Sequence, residues 1–243
     1  MSHGTVFRKA LRILGDINVD ELLKNDILKC LSACNKQFSQ FIYEVSADTD
    51  LPREERLGRA AAVLFEYASV QLADDLVDGE CDYLAQPNRS GPTVLMALQN
   101  LFVLILSQHK IAGNTLNTIA GRLQKVAMAQ QTEVFCEEWN LQRSKQAAVG
   151  LNGHQFAAYF SVLWHGTTLE PNAQDVGMAT GIAIHVGSDV LSADPRFFSL
   201  NETERSALAC WANSERQTAA SFNIPSVCRV LNPIEKTLSP YLL

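Results

Sequence analysis

VQLADDLVDGECD, residues Val70–Asp82, sets Asp74, Asp75 and Asp78 directly behind the run Ala60–Ala73, in which Glu66 is the one charge. A solvated helix face mixes the signs of its charges and repeats them at helical spacing. Here like charge is packed into one patch at the end of an apolar segment, and such a patch needs water or a cation. On a helix Asp74 and Asp78 stand at i,i+4 and share a face, with Asp75 about 100° round. Like charges at i,i+4 weaken a helix slightly, so local stability does not account for them. Hard oxygen ligands at this spacing suit Mg²⁺, which takes one or two carboxylates and completes its octahedron with water and substrate phosphates. The bland alternative is a solvated acidic helix end. The apolar run favours the metal, because it implies a buried helix delivering its carboxylates to a cavity.

The chain around this stretch has 243 residues, 47% of them hydrophobic and 19% charged. That is enough to bury a sizeable core, and one domain over residues 1–243 is the expectation. A formal charge of −6 leaves no basic footprint for nucleic acid. Six cysteines include no CxxC pair. Cys30 and Cys34 have helical i,i+4 spacing and are expected as buried thiols in a reducing compartment. The N-terminal MSHGTVFRKALRILGD has no continuous apolar core with a small-residue cleavage site, so no secretory signal is expected and the cytoplasm is the expected location. The longest apolar run, VLMALQNLFVLIL, is short for a bilayer span and reads as a buried helix.

Helical periodicity dominates. Over Asp20–Val45 an apolar stripe repeats at mixed three and four spacing. Pro52 is well placed to start a helix that runs to Asp78. A loop with Pro87, Asn88, Gly91 and Pro92 should follow, then a helix over Thr93–Gln108. Further helices are expected over Thr115–Arg143, Ser144–Gly166 and Val176–Ala193, the last stopped by Pro195. TTLEPNAQD reads as a loop. SLNETERSALACWANSERQ looks like a capped amphipathic helix, with Ser199 and Glu202 or Asn201 and Glu204 as the capping pair. The proline-interrupted C-terminal stretch is the least defined. No alternating strand of useful length, internal repeat or linker is visible. The reading is all-α, with roughly eight to ten helices.

Asp74-Asp75-Leu76-Val77-Asp78, followed by a short loop and NRSGPT at Asn88–Thr93, resembles the trans-isoprenyl diphosphate synthase family. There DDxxD is the first aspartate-rich motif, and an Arg-Arg-Gly-x-Pro-Thr element follows it. AQQTE (Ala129–Glu133) stands where the family has Gly-Gln-x-x-Asp. GIAIHVGSDVLSAD (Gly181–Asp194) stands where it has Gly-x-x-Phe-Gln-x-x-Asp-Asp-x-x-Asp. The matches keep the family's order across most of the chain. The resemblance implies the class I isoprenoid synthase fold, helices around an elongated apolar cavity with metal-binding carboxylates at its mouth.

The departures from the family pattern matter as much. Ser188 and Ser192 occupy two of the three acidic positions of the second motif, and Asp189 the other. His185, Asp189 and Ser192 still share a helical face. The family's N-terminal Gly-Gly-Lys-x-x-Arg element has no counterpart, and Lys36 is the nearest basic residue on the corresponding helix. One arginine of Arg-Arg-Gly is missing, leaving Arg89, and the family's later Lys-Thr pair is replaced around LNGHQF (Leu151–Phe156). These losses fall on the diphosphate acceptor more than on the donor. Within the family, the spacing looks most like the moenomycin-pathway prenyltransferase, which couples an allylic diphosphate to a prenylated phosphoglycerate.

The resemblance implies that Asp74 and Asp78 hold Mg²⁺ against an allylic diphosphate, with Asp75 counted among the metal carboxylates or orienting water behind them. Arg89 and Arg143 are the expected diphosphate contacts, and Gln130, Asp189 and Ser192 the expected opposite wall, with Asp74, Asp78 and Asp189 as catalytic residues. The cation left by ionisation needs an apolar pocket, and an alkene acceptor, an isoprenoid or other lipid, attacks it. A homodimer and transient membrane contact through the lipid substrate are further expectations. Two alternatives stay open. SDVLSADPR can be laid on the terpene-cyclase motif Asn-Asp-x-x-Ser-x-x-x-Glu, but Ser188 and Arg196 replace two of its three ligands. A non-catalytic subunit of a heteromeric prenyl synthase would also carry eroded motifs. His154, His165 and His185 are too scattered for zinc and are expected as hydrogen-bonded or surface residues. Trp139 and Trp164 read as core, Arg143 and Lys145 equally as a surface basic patch, and Gly177, Gly181 and Gly187 as close helix packing.

Overall fold

The computed structural model describes residues 3–111, 113–136 and 138–242. Among them there are twelve α-helices and no strand, as the periodicity predicts. The helices gather into two compact units, Met1–Ala112 and Gly113–Leu243.

The first unit opens with α1 (His3–Asp16), a helix the sequence reading does not anticipate. Val6, Ala10 and Leu14 recur at i,i+4,i+8 and are buried. The stripe over 20–45 then forms two helices, α2 (Glu21–Ala33) and α3 (Lys36–Ala47), instead of one. Asn35 makes the break. Its side-chain oxygen takes the Gln37 N–H at 2.8 Å, an N-cap that competes with helix continuation. Cys34 therefore ends α2. Both it and Cys30 are buried thiols, their pKa values pushed up to about 12 chiefly by burial.

α4 (Arg53–Asp78) starts after Pro52 and is the spine of this unit, with α1, α2, α3 and α5 (Pro87–Gln108) packed on it. From Leu57 to Glu66 it is buried on every face. α5 begins six residues earlier than expected. Pro87 fills the first helical position, where the missing N–H has no partner to lose, and Pro92 forfeits a single bond two turns in. Nor is α5 wholly buried. Leu98, Phe102 and Ile105 face the core, but Met96, Val103 and Leu104 are 63%, 55% and 43% exposed. At 22 residues it is, by length and composition only, apolar enough to cross a membrane.

In the second unit the helix expected over 115–143 is two: α6 (Asn114–Val134) and α7 (Leu141–Ala148). Asn140 caps α7 by accepting the Arg143 N–H at 3.0 Å. A five-residue π-helical turn, Val149–Gly153, links α7 to α8 (His154–Leu163), whose residues Gln155–Leu163 are all buried. α9 (Ala173–Leu191) crosses α8 and also meets α11 (Glu202–Ser221) and α12 (Pro225–Leu238), with the short α10 (Pro195–Ser199) between. Asn201 and Glu204 form the capping box of α11, the second of the two pairs considered. The proline-interrupted tail is helical through Pro233.

The α9 glycines serve close packing, as expected. A Cβ at Gly177 would stand 2.6 Å from the Phe156 carbonyl, and one at Gly181 would collide with the Asn152 carbonyl in the π-turn. Backbone cannot yield there. Gly181→Ala should therefore cost about 3 kcal/mol in urea unfolding. Gly121→Ala in α6, where nothing lies within 4 Å, should gain about 0.5–1 kcal/mol. Equal effects at the two positions would contradict this packing.

Candidate active site

DDLVD occupies the last turn and a half of α4, and no basic residue accompanies it there. Helix C-termini carry partial negative charge, so carboxylates at this end are disfavoured unless a cation answers them. Asp74 and Asp78 are exposed on one face. Asp75 is half-buried and turned elsewhere: its Oδ2 accepts the Tyr83 Oη–H at 2.7 Å. Its charge also reaches Cys30, Cys34 and Tyr67, raising their pKa values alongside burial. The helix stops at Gly79, whose φ of 74° is left-handed and costs glycine little.

The NRSGPT segment packs against the same end of α4. Gly91 packs on Leu76, the centre of DDLVD: a Cβ there would lie 2.8 Å from Leu76 Cδ1. This close approach sets the first turn of α5 beside the last turns of α4. Arg89 stands in that turn, exposed, with Nη1 at 3.4 Å from Gln86 Oε1. At about 100° per residue Leu76 lies on the side of α4 opposite the face that Asp74 and Asp78 share, and in the first turn of α5 the Arg89 and Ser90 N–H groups bond the Gln86 carbonyl at 3.0 and 2.9 Å. Among the described residues no cluster of three or more His, Cys, Asp or Glu side chains gathers as a closed metal cage. Two carboxylates on one face are nevertheless the donor set that Mg²⁺ uses when substrate phosphates and water complete its shell.

The remaining expected site residues lie in the second unit. Asp189 and Ser192 are at the C-terminal end of α9. Ser192 is exposed and caps the helix, its N–H bonding the Ser188 carbonyl at 2.8 Å. Burial, with a smaller contribution from Asp194, pushes the Asp189 carboxyl up to about 7. His185, one turn earlier, has Nδ1 at 3.3 Å from Asn152 Oδ1, which makes Nδ1 the protonated nitrogen. Its Nε2 lies 3.8 Å from Asp189 Oδ2, and burial holds the imidazole down at about 4, so it is neutral. His154 and His165 are likewise engaged, with Arg122 and Glu170 respectively.

Gln130 is half-buried on α6. Its neighbours Ala129, Thr132 and Glu133 line a cavity of about 310 Å³ with Trp139, Arg143 and Gln146. Arg143 is exposed and donates to Gln146 at 3.2 Å, while Lys145 lies over the Trp211 ring at 5.3 Å. Trp139 is not the core residue expected: it is half-exposed, on the cavity wall, with the Arg196 guanidinium 5.2 Å from its ring centre. Trp164, by contrast, is fully buried as expected. Arg196 also pairs with Glu133 and, at 3.0 Å, with Asp194. Sequence reasoning missed this triad and the Tyr83–Asp75 bond. Tyr83, eight residues past Asp75 across a glycine, carried no periodic signal. Arg196 was visible as a charge reversal in the cyclase motif, but its partner Glu133 is 63 positions away.

No protein-family model matches the sequence, and no curated protein does. Solved structures do. A geranyltranstransferase from Thermotoga maritima aligns with a TM-score of 0.75 at 17% identity, covering 99% of this chain and 98% of its own. A geranyltransferase from Legionella pneumophila gives 0.72 at 13%, covering 99% and 94%. A geranylgeranyl pyrophosphate synthetase from the archaeon Geoglobus acetivorans gives 0.63 at 13%, covering 98% and 86%. The fold is therefore that of the class I isoprenoid synthases, and it extends over nearly the whole chain. At these identities the likeness is one of fold. The narrower likeness to the moenomycin-pathway enzyme finds no support among these structures.

Proposed function

We propose that the protein is a prenyltransferase that ionises an allylic isoprenyl diphosphate and passes the prenyl group to an alkene acceptor. The observation that carries this reading is the placement of Asp74 and Asp78 on one exposed face at the C-terminal end of α4, on a fold shared with solved prenyl synthases. Asp74 and Asp78 would hold Mg²⁺. When bound, the ion supplies Lewis-acid stabilisation of the departing pyrophosphate. Arg89, exposed in the first turn of α5, is the cation that bonds diphosphate oxygens and orients the leaving group. Gln130, Arg143, Asp189 and Ser192 are carried forward as substrate-side residues.

The acceptor is read from what is absent. The basic residues expected to hold isopentenyl diphosphate are missing, and each charge-assisted bond lost is worth about 1.5–3 kcal/mol. An acceptor of lower charge follows: a prenylated phosphoglycerate, another lipid, or the donor's own distal double bond. Competition tests this. A labelled allylic diphosphate supplied with isopentenyl diphosphate at saturating Mg²⁺ should give little of the next C5 homologue and slow release of prenyl alcohol or hydrocarbon. Efficient elongation would return the protein to ordinary chain-extending synthases.

The exposed apolar face of α5, with Met96, Val103 and Leu104, supports a homodimer. The same face also favours the second reading, a non-catalytic subunit that docks on an active synthase. Such a chain would release no pyrophosphate alone. A cytoplasmic setting, with transient contact to membrane-borne lipid acceptors and none to nucleic acid, completes the proposal.

A further inference from the structure

Asp75 is gripped twice. Its carbonyl accepts the N–H groups of Gly79 and Glu80, the latter at 2.8 Å, which closes the end of α4. Its side chain accepts the Tyr83 hydroxyl at 2.7 Å. Tyr83 is half-buried, and Cys81 and Leu84 in the same short segment are 6% and 3% exposed. A phenol hydroxyl facing a carboxylate oxygen at this distance is the donor of the pair. Asp75 is the immediate neighbour of Asp74, and without a partner a change of rotamer would let it turn towards the face that Asp74 and Asp78 share.

We propose that Tyr83 sets the metal preference of the donor site: by holding Asp75 aside, it leaves Asp74 and Asp78 as a two-carboxylate pair suited to Mg²⁺ instead of Ca²⁺. The proposal rests on the prenyl-transfer reading for the presence of a metal at DDLVD. Its physical basis is ligand count. Mg²⁺ keeps much of its water and takes one or two carboxylates in a tight octahedron, whereas Ca²⁺ takes six to eight oxygens and gains from each added carboxylate. Three ionised aspartates within five residues would favour Ca²⁺. The Tyr83 hydroxyl subtracts one of them without removing its charge. Tyr83 is thus a positioning residue that acts through Asp75.

Tyr83→Phe keeps the ring and its packing and deletes only the donor, so the folded chain can be compared directly. Calorimetric titration with Mg²⁺ and with Ca²⁺, each alone and with an unreactive thiolo analogue of an allylic diphosphate, reads both affinities. The Ca²⁺-to-Mg²⁺ affinity ratio should rise about tenfold in Tyr83→Phe. It should return to the starting ratio in Tyr83→Phe/Asp75→Asn, where the freed side chain no longer carries charge. A merely structural role would lower the melting temperature without moving this ratio. An unchanged ratio in Tyr83→Phe, or a shift that survives in the double variant, overturns the proposal while leaving the metal site standing. An unaltered chain that binds neither ion, with or without the analogue, overturns the prenyl-transfer reading and this proposal with it.

Discussion

Replacing Asp74 and Asp78 together with alanine should abolish the joint stabilisation that Mg²⁺ and an unreactive allylic thiolodiphosphate confer. Both carboxylates are exposed, at the negative end of α4. Their removal relieves like-charge repulsion at that end of the helix. Ligand linkage is a separate quantity. A hundredfold excess over the dissociation constant stabilises the native state by about 2.7 kcal/mol. In the proposed site metal and analogue would complete each other's contacts, so their combined effect on the melting temperature should exceed the sum of the two alone. In the double variant that excess should vanish while the unliganded melting temperature holds. A full response in the variant would make the aspartates a solvated helix end after all.

The second large effect concerns Glu66, the one charge in the apolar run of α4. It is 4% exposed, and its carboxylate accepts the Ser69 hydroxyl at 3.2 Å. Burial pushes the carboxyl up to about 7, against the lowering influence of Ser69. In the unfolded chain it titrates near 4.3. Between these values the folded state holds a proton that the unfolded state has released, so stability falls as pH rises through that window. The loss is complete above about pH 7 and amounts to about 3 kcal/mol. Glu66→Gln removes it. The variant should match the parent near pH 4.5 and exceed it by up to about 3 kcal/mol at pH 8, measured by urea unfolding. Asp189 contributes a slope of the same sign, and neutral His185 an opposite one between about pH 4 and 6.5. Both are common to parent and variant and cancel in the difference. A difference that does not grow with pH would show that Glu66 is ionised and satisfied in the folded state.

The helical fold was legible because its signal is periodic and local. The apolar run of α4 and the close packing of the α9 glycines read from the sequence, and spacing narrowed the α11 cap to two pairs, of which Asn201–Glu204 is the one formed. What failed was punctuation. Asn35 splits one stripe into two helices through a single side-chain bond, while Pro87 opens α5 and Pro92 lies inside it, where the sequence reading set a loop. DDLVD and NRSGPT stood out through their family resemblance, but the packing of Gly91 on Leu76 could not be read from the sequence. Tyr83 on Asp75 and Arg196 on Glu133 are tertiary facts with no periodic trace. Trp139 was misread because a tryptophan's composition signal is the same on a cavity wall as in a core.

The central claim, that DDLVD is a metal clamp for an allylic diphosphate, is tested most directly by pyrophosphate release from the purified chain. Geranyl, farnesyl and geranylgeranyl diphosphates are each supplied with Mg²⁺ and with excess chelator, beside the Asp74→Ala/Asp78→Ala variant. Release is expected with at least one of the three, dependent on Mg²⁺ and reduced about a thousandfold or more in the variant, in keeping with the several kcal/mol that a metal contributes to such a transition state. No release from the unaltered chain with any of them, or release that persists equally under chelation or in the variant, would contradict it.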